Sequence, residues 1–277
     1  MESKTLPALS CREVTREEIS HFQTHGWVKL EQLVTPETVS CLREILVAER
    51  GESGDRGAPA RGKALPFFLI DDLVDGYRDE RLYPLHKALG HNARALHDRG
   101  TDVGMRFWAS SFLTKLPARN SELAGTGATN FHQDYPDWKL DRSGGMAVWL
   151  ALGDYGPESG TMSFLNGSKQ KGSLGAALSW ISKGLEVTDL YPKLAAEYPS
   201  SGPVTYKAGD ATVHADLTVH GAGQNLTDMP RSSYTAIYVP ADSCWTGAPA
   251  IARYNKSVEQ GLKPGDVLDD ANFPLVD

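Results

Sequence analysis

The sequence predicts an α+β protein that is mainly β with helices: a helical N-terminal layer packed on a β-barrel or jelly roll. Three observations predict it. The first fifty residues carry helical periodicity and capping signals. After residue 100 the texture changes to short apolar runs separated by Gly, Asp, Pro and Ser clusters, the pattern of a sandwich or barrel. Throughout, the chain is loop-rich, with 27 Gly and 16 Pro among 277 residues.

The elements follow in chain order. Thr15 and Glu18 form a capping box, in which each side chain satisfies an orphan N–H of a helix start. Ile19 and Phe22 fall on one face, Gly26 ends the helix, and Trp27–Leu30 reads as a short strand. Thr35 caps a second helix with Pro36 in its first turn, and Val39, Leu42, Ile45 and Leu46 make its buried stripe. Residues 51–64 form a Gly/Arg/Ala/Pro loop of the length that lids have. Residues 78–99 read as a helix around Leu82, Leu85, Leu89 and Leu96. Strands are expected at about 105–117, 127–133, 145–153, 160–165, 203–206, 210–220 and 232–239, with 168–200 as a partly helical insertion. One domain over 1–277 is the simplest reading: a layer and lid loop (1–100), a jelly-roll core (101–240) and a tail (241–277).

Composition narrows the function classes. Apolar residues make 40% and charged residues 23% of the chain, as in globular proteins and unlike disordered ones. With 28 basic against 35 acidic residues, the net charge of −7 argues against nucleic acid and anionic membrane surfaces as partners. Cys11, Cys41 and Cys244 form neither a disulfide framework nor a zinc motif, which fits a reducing compartment. The first residues are polar where a signal peptide needs an apolar run, and no apolar stretch is long enough to span a membrane. A cytoplasmic protein is the expectation.

The sharpest chemical feature is Phe131-His132-Gln133-Asp134. On a strand, residues i and i+2 share a face, so His132 and Asp134 offer an imidazole and a carboxylate together. His220, at the end of a distant β segment, would complete a 2-His-1-carboxylate facial triad. Such a triad leaves three positions open on an octahedral Fe(II), enough for a bidentate cosubstrate and dioxygen. The rival is His214, which with Asp216 makes a second H-x-D; it would leave the next feature unexplained. Arg231 follows His220 on another strand, where its planar fork could grip the distal carboxylate of a 2-oxo acid, with Ser233 on the same face. His21, His25, His86, His91 and His97 lie in helical or loop segments and are expected to face solvent or to cap.

These residues resemble the phytanoyl-CoA dioxygenase-type family of non-haem Fe(II)/2-oxoglutarate oxygenases over most of the chain. His132-Gln-Asp134 matches the family's first metal motif; Gly209-Asp210, His220 and Arg231 match its distal half. Residues 15–30 resemble its opening helix and strand, and Gly160–Ser168 its "PGSH" turn, here Asn166-Gly-Ser-Lys169. The resemblance implies a double-stranded β-helix (jelly-roll, cupin-like) core. It implies Fe(II) on His132, Asp134 and His220, and 2-oxoglutarate on Arg231, Ser233, Trp149 and Thr129. For Trp149 and Thr129 the competing readings are core packing and an ordinary strand threonine. Tyr135 and Trp138 are candidate walls of the substrate pocket. The activity implied is O2-dependent oxidation, most simply hydroxylation, of a C–H bond in a small organic molecule, plausibly in specialised-metabolite biosynthesis, releasing succinate and CO2. Halogenating relatives carry Gly or Ala in place of the carboxylate, and Asp134 argues against that chemistry. The alternative is a cupin-like protein that binds a metal or small ligand without turnover.

Overall fold

In a computed structural model the described residues are 9–50, 67–71, 81–97, 102–118, 128–175, 187–248 and 261–276. The 51–64 loop and the middle of the 168–200 insertion lie outside them. The capping box is present at α1 (Arg16–His25): the Thr15 side chain accepts from Glu18 N–H, and the Glu18 side chain from Thr15 N–H. Gly26 closes the helix at φ 81°, in the left-handed region that glycine enters without strain. After β1 (Trp27–Leu30), Thr35 Oγ1 accepts from Thr38 N–H at 3.3 Å and starts α2 (Pro36–Arg50). Val39, Leu42, Ile45 and Leu46 are all buried, as their spacing predicts. Within the predicted 78–99 helix the structure places α3 (Tyr83–Leu96).

One histidine departs from expectation: His86 is buried in the core, whereas His97, also buried, is the C-cap of α3, its backbone N–H donating to Arg94 O. His86 falls on the same helical stripe as Leu82, Leu85 and Leu89, so its ring packs on Phe107 at 4.5 Å between centroids and its Nε2 meets the Tyr234 hydroxyl.

The β core has two antiparallel sheets. The larger has the order β1-β7-β5-β9-β3-β2 and the smaller β4-β8-β6. Their strands are β2 (Phe67–Asp71), β3 (Met105–Lys115), β4 (Thr129–His132), β5 (Met146–Ala151), β6 (Met162–Phe164), β7 (Ala211–Ala215), β8 (His220–Ala222) and β9 (Arg231–Pro240). Short helices α4 (Tyr135–Trp138), α5 (Val187–Leu190) and α6 (Leu194–Glu197) complete the fold. This is the jelly-roll core the sequence predicts. The expected strand 210–220 is in fact two: the chain turns after Ala215, where Thr218 N–H donates to Ala215 O, and enters the other sheet. At 203–206 only the bridge Tyr155↔Tyr206 forms.

Period-2 alternation assigns the faces of the large sheet. Met146, Val148 and Leu150 of β5, with Tyr234, Ala236 and Tyr238 of β9, pack in the main core with the helices. Ala147, Trp149, Arg231, Thr235 and Ile237 point the other way, into a cavity between the sheets. On β3 the alternation breaks at a bulge between Phe107 and Ala109. One extra residue reverses the phase, so Ser111, Leu113 and Lys115 face the cavity while Phe107 and Phe112 face the helices. Among the described residues no helix is long and apolar enough to cross a membrane.

Candidate metal centre

His132 ends β4 and His220 opens β8, and the two residues pair directly across the small sheet. Asp134 is not on the strand: it sits at the N-terminus of α4 with helical φ −75° and ψ −35°, so a turn rather than the pleat brings its carboxylate round. One nitrogen of each imidazole and one Asp134 oxygen lie within 4.8 Å of one another. Asp134 Oδ1 is 3.5 Å from His132 Nε2 and 3.9 Å from His220 Nε2.

The backbone sets the histidine tautomers. His132 Nδ1 donates to Asn130 O at 2.7 Å and His220 Nδ1 to Thr218 O at 3.0 Å. A carbonyl only accepts, so both Nδ1 atoms carry the proton and both Nε2 lone pairs face the common point, the arrangement ligating histidines adopt. Burial, reinforced by His214 and His132, holds His220 well below the ordinary imidazole range. Burial works against ionisation of Asp134, yet the three surrounding imidazoles keep its carboxyl well below the usual carboxylate range. His132 goes the other way: against burial, its contact with Asp134 raises it above the ordinary imidazole range. A carboxylate and neutral imidazoles are the forms that bind a divalent ion, so binding there would release a proton from His132 where it is charged. The donor set fits iron.

The cavity at this centre, about 140 Å³, is lined from both sheets, including Leu113, Thr129, Ala147, Met162 and Ile237. Its other end is cationic. Arg231 is buried, its Nη1 donates to Gly160 O at 2.6 Å, and its Nε has no partner among the described residues. Its guanidinium lies 5.1 Å from the centre of the Trp149 ring, whose own Nε1 is buried and unpartnered. Among the described residues no carboxylate forms an ion pair with Arg231. Lys115 lines the same end, with Nζ donating to Gly223 O at 2.6 Å. Burial pushes Arg231 down to about 10, and burial beside Arg231 pushes Lys115 down to about 6. Buried donors without an acidic partner are costly unless an anion arrives.

The other predicted residues separate. Thr129 and Trp149 line the cavity. Ser233 shares the Arg231 strand, but its hydroxyl donates to Leu113 O at 3.1 Å and stands outside the lining. Tyr135 and Trp138 are corrected as cavity walls. Neither is among the lining residues: the Tyr135 hydroxyl donates to Leu140 O, and Trp138 packs in a core cluster with the lining residues Ala147 and Ile237. His214 lines the cavity but lies outside the three-residue ligand group. Sequence reasoning missed Lys115, whose signal was a lysine within the expected strand 105–117. It also missed Gln133, which is buried and pins the insertion by donating to Gly172 O and Leu217 O and accepting from Leu174 N–H.

Comparison with known proteins agrees with this geometry. A family model described as phytanoyl-CoA dioxygenase (PhyH) matches residues 22–233. Among solved structures, the non-haem α-ketoglutarate-dependent carbocyclase SnoK from nogalamycin biosynthesis is 22% identical, with TM-score 0.74, covering 95% of this chain and 97% of SnoK. The epimerase SnoN of the same biosynthesis is 24% identical, with TM-score 0.72, covering 94% and 98%; it is also known in complex with Fe3+, α-ketoglutarate and nogalamycin RO. EvdO2 from Micromonospora carbonacea var. aurantiaca, complexed with 2-oxoglutarate, is 22% identical, with TM-score 0.61, covering 88% and 98%. No curated protein sequence matches the chain.

Proposed function

The chain belongs to the phytanoyl-CoA dioxygenase family of non-haem iron, 2-oxoglutarate-dependent enzymes, and on that premise we propose that it hydroxylates a C–H bond of a small organic molecule in specialised-metabolite biosynthesis. One observation carries the reading: a single cavity has a His–Asp–His donor set at one end and, at the other, the buried basic side chains Arg231 and Lys115, which have no acidic partner among the described residues.

His132, Asp134 and His220 would hold the iron, and Arg231 with Lys115 would hold the distal carboxylate of 2-oxoglutarate. Bound iron and 2-oxoglutarate supply the oxidising power, consuming O2 and releasing succinate and CO2. The protein's own part is placement. Trp149 flanks the guanidinium and keeps water from that end, while the Gly160 carbonyl fixes the direction of the fork. Thr129, which opens the β4 strand that His132 ends and lines the cavity, would donate to the cosubstrate's proximal carboxylate. Leu113, Ala147, Met162 and Ile237 give the rest of the lining an apolar character suited to a hydrocarbon framework. Relatives described as a carbocyclase and an epimerase support small-molecule substrates and biosynthetic roles.

Anaerobic addition of Fe(II) and 2-oxoglutarate tests the reading. A visible metal-to-ligand charge-transfer band is expected, lost in Asp134→Ala and requiring far more 2-oxoglutarate in Arg231→Ala. A wild-type chain with no band would sink the proposal and favour a ligand-binding protein without turnover. A screen for substrates that stimulate succinate release, with mass analysis of the products, then separates hydroxylation from ring closure or epimerisation.

A further inference from the structure

The ligand triad leaves over one histidine at the centre. His214, on β7, is buried, and its ring centroid lies 4.1 Å from that of His220. Its Nε2 is 3.1 Å from Asp134 Oδ2. An ionised carboxylate only accepts, so the proton is on His214 Nε2 and points at Asp134. That bond occupies the nitrogen a metal would need. It also divides the labour of the carboxylate. Oδ1 faces both ligand imidazoles, at 3.5 and 3.9 Å, while Oδ2 is turned to His214.

We propose that His214 is a positioning residue that holds Asp134 as a one-oxygen ligand, an inference that rests on reading His132, Asp134 and His220 as the metal site. A free carboxylate can swing both oxygens onto an ion. With Oδ2 tied back, one oxygen and two imidazoles take one triangular face of an octahedral ion and leave three positions open; a chelating carboxylate would leave two. The sheet register keeps His214 in place, because it pairs with Trp27 of β1 on one side and with Ala147 of β5 on the other. Outer partners of metal ligands act in this way, fixing orientation without touching the ion.

The test exploits the shapes of two amides. A glutamine amide nitrogen reaches where histidine Nε2 sits; an asparagine nitrogen reaches only as far as Nδ1. Metal-free full-length wild type, His214→Gln, His214→Asn and His214→Leu are titrated with Co(II), reading the visible d–d absorption, after thermal unfolding shows which variants fold. The expected result is Co(II) binding weakened about ten- to hundredfold in the Asn and Leu variants. Their band intensity should also change, because the carboxylate now chelates. The Gln variant should keep both the affinity and the spectrum. Asn and Leu carry the same expectation, so a folding failure in one leaves the other to decide. Wild-type affinity and spectrum in the folded Asn or Leu variant would overturn the inference, as would equal loss in Gln and Asn. A wild type that takes up no Co(II) would overturn the metal-centre reading itself.

Discussion

Lys115 is a lysine almost out of contact with solvent, at 2% exposure, with one hydrogen bond from Nζ to a backbone carbonyl and a guanidinium nearby. Burial first, then Arg231, disfavour its charged form and push it down to about 6. At pH 7.5 the unliganded residue is therefore mostly neutral. A dicarboxylate between Lys115 and Arg231 reverses both effects, so binding should draw a proton from solvent. Calorimetric titration of 2-oxoglutarate in two buffers of different ionisation enthalpy should show uptake approaching one proton per site at pH 7.5. The uptake should shrink below pH 6, where the lysine is already charged, and vanish in Lys115→Met. That variant should also bind about ten- to hundredfold more weakly, the size of one lost charge-assisted hydrogen bond. Buffer-independent heats would count against this role. Lys115 was in plain view in the sequence as a charge within an expected strand. Its direction was not, because the pleat alone would have turned it towards the helices.

At the scale of elements, the decisive features are places where regular structure is interrupted. The bulge in β3 turns Lys115 into the cavity, and the break between β7 and β8 carries His214 and His220 onto different sheets. The turn before β6 matters equally. Gly160 has φ 69°, and a Cβ there would meet Gly223 O at 2.4 Å, while its own carbonyl receives Arg231. Gly160→Ala should cost roughly 1–3 kcal/mol in urea unfolding, from left-handed strain plus the backbone collision. It should also raise the 2-oxoglutarate concentration needed for the charge-transfer band. Gly167 is the control: it is also left-handed, at φ 81° and ψ 0°, but an added Cβ would meet nothing closer than 3.7 Å, so Gly167→Ala should cost only the strain, about 1–2 kcal/mol, and leave cosubstrate binding alone. Equal effects at the two positions would show that the Gly160 contact is unimportant. Helix starts, by contrast, were legible, because the Thr15 and Thr35 caps depend only on neighbours three residues away.

At the scale of the molecule, the N-terminal layer is tied to the segments that surround the donor set. β1 pairs with β7, Trp27 Nε1 donates to Asn166 Oδ1 at 2.7 Å, and Thr218 Oγ1 donates to Gly26 O at 2.7 Å. Thr218 O in turn receives His220 Nδ1. We therefore propose that 1–277 acts as one domain, and expect a single calorimetric unfolding transition whose calorimetric and van't Hoff enthalpies agree. Co(II) with 2-oxoglutarate, bound only by the folded state, should raise its midpoint by several degrees, since a hundredfold excess over the dissociation constant adds about 2.7 kcal/mol. Two separable transitions, with only one moved by the ligands, would divide the layer from the core.

Read by itself, the sequence determined the class of fold, the N-terminal caps and stripes, and the three residues of the donor set. Each of these is written in local spacing or in side-chain chemistry that few other arrangements use. The loop-rich, acidic composition told of a globular protein but nothing of a pocket with two buried basic side chains. Only the tertiary structure decided which faces turn inward, that His214 meets Asp134 instead of replacing it, and that Tyr135 and Trp138 are not among the lining residues of the cavity. The physical reason is that bulges, sheet-to-sheet crossings and single-turn helices reverse the period-2 rule at one residue. Their cost and benefit are settled by partners far along the chain, where no local pattern reaches.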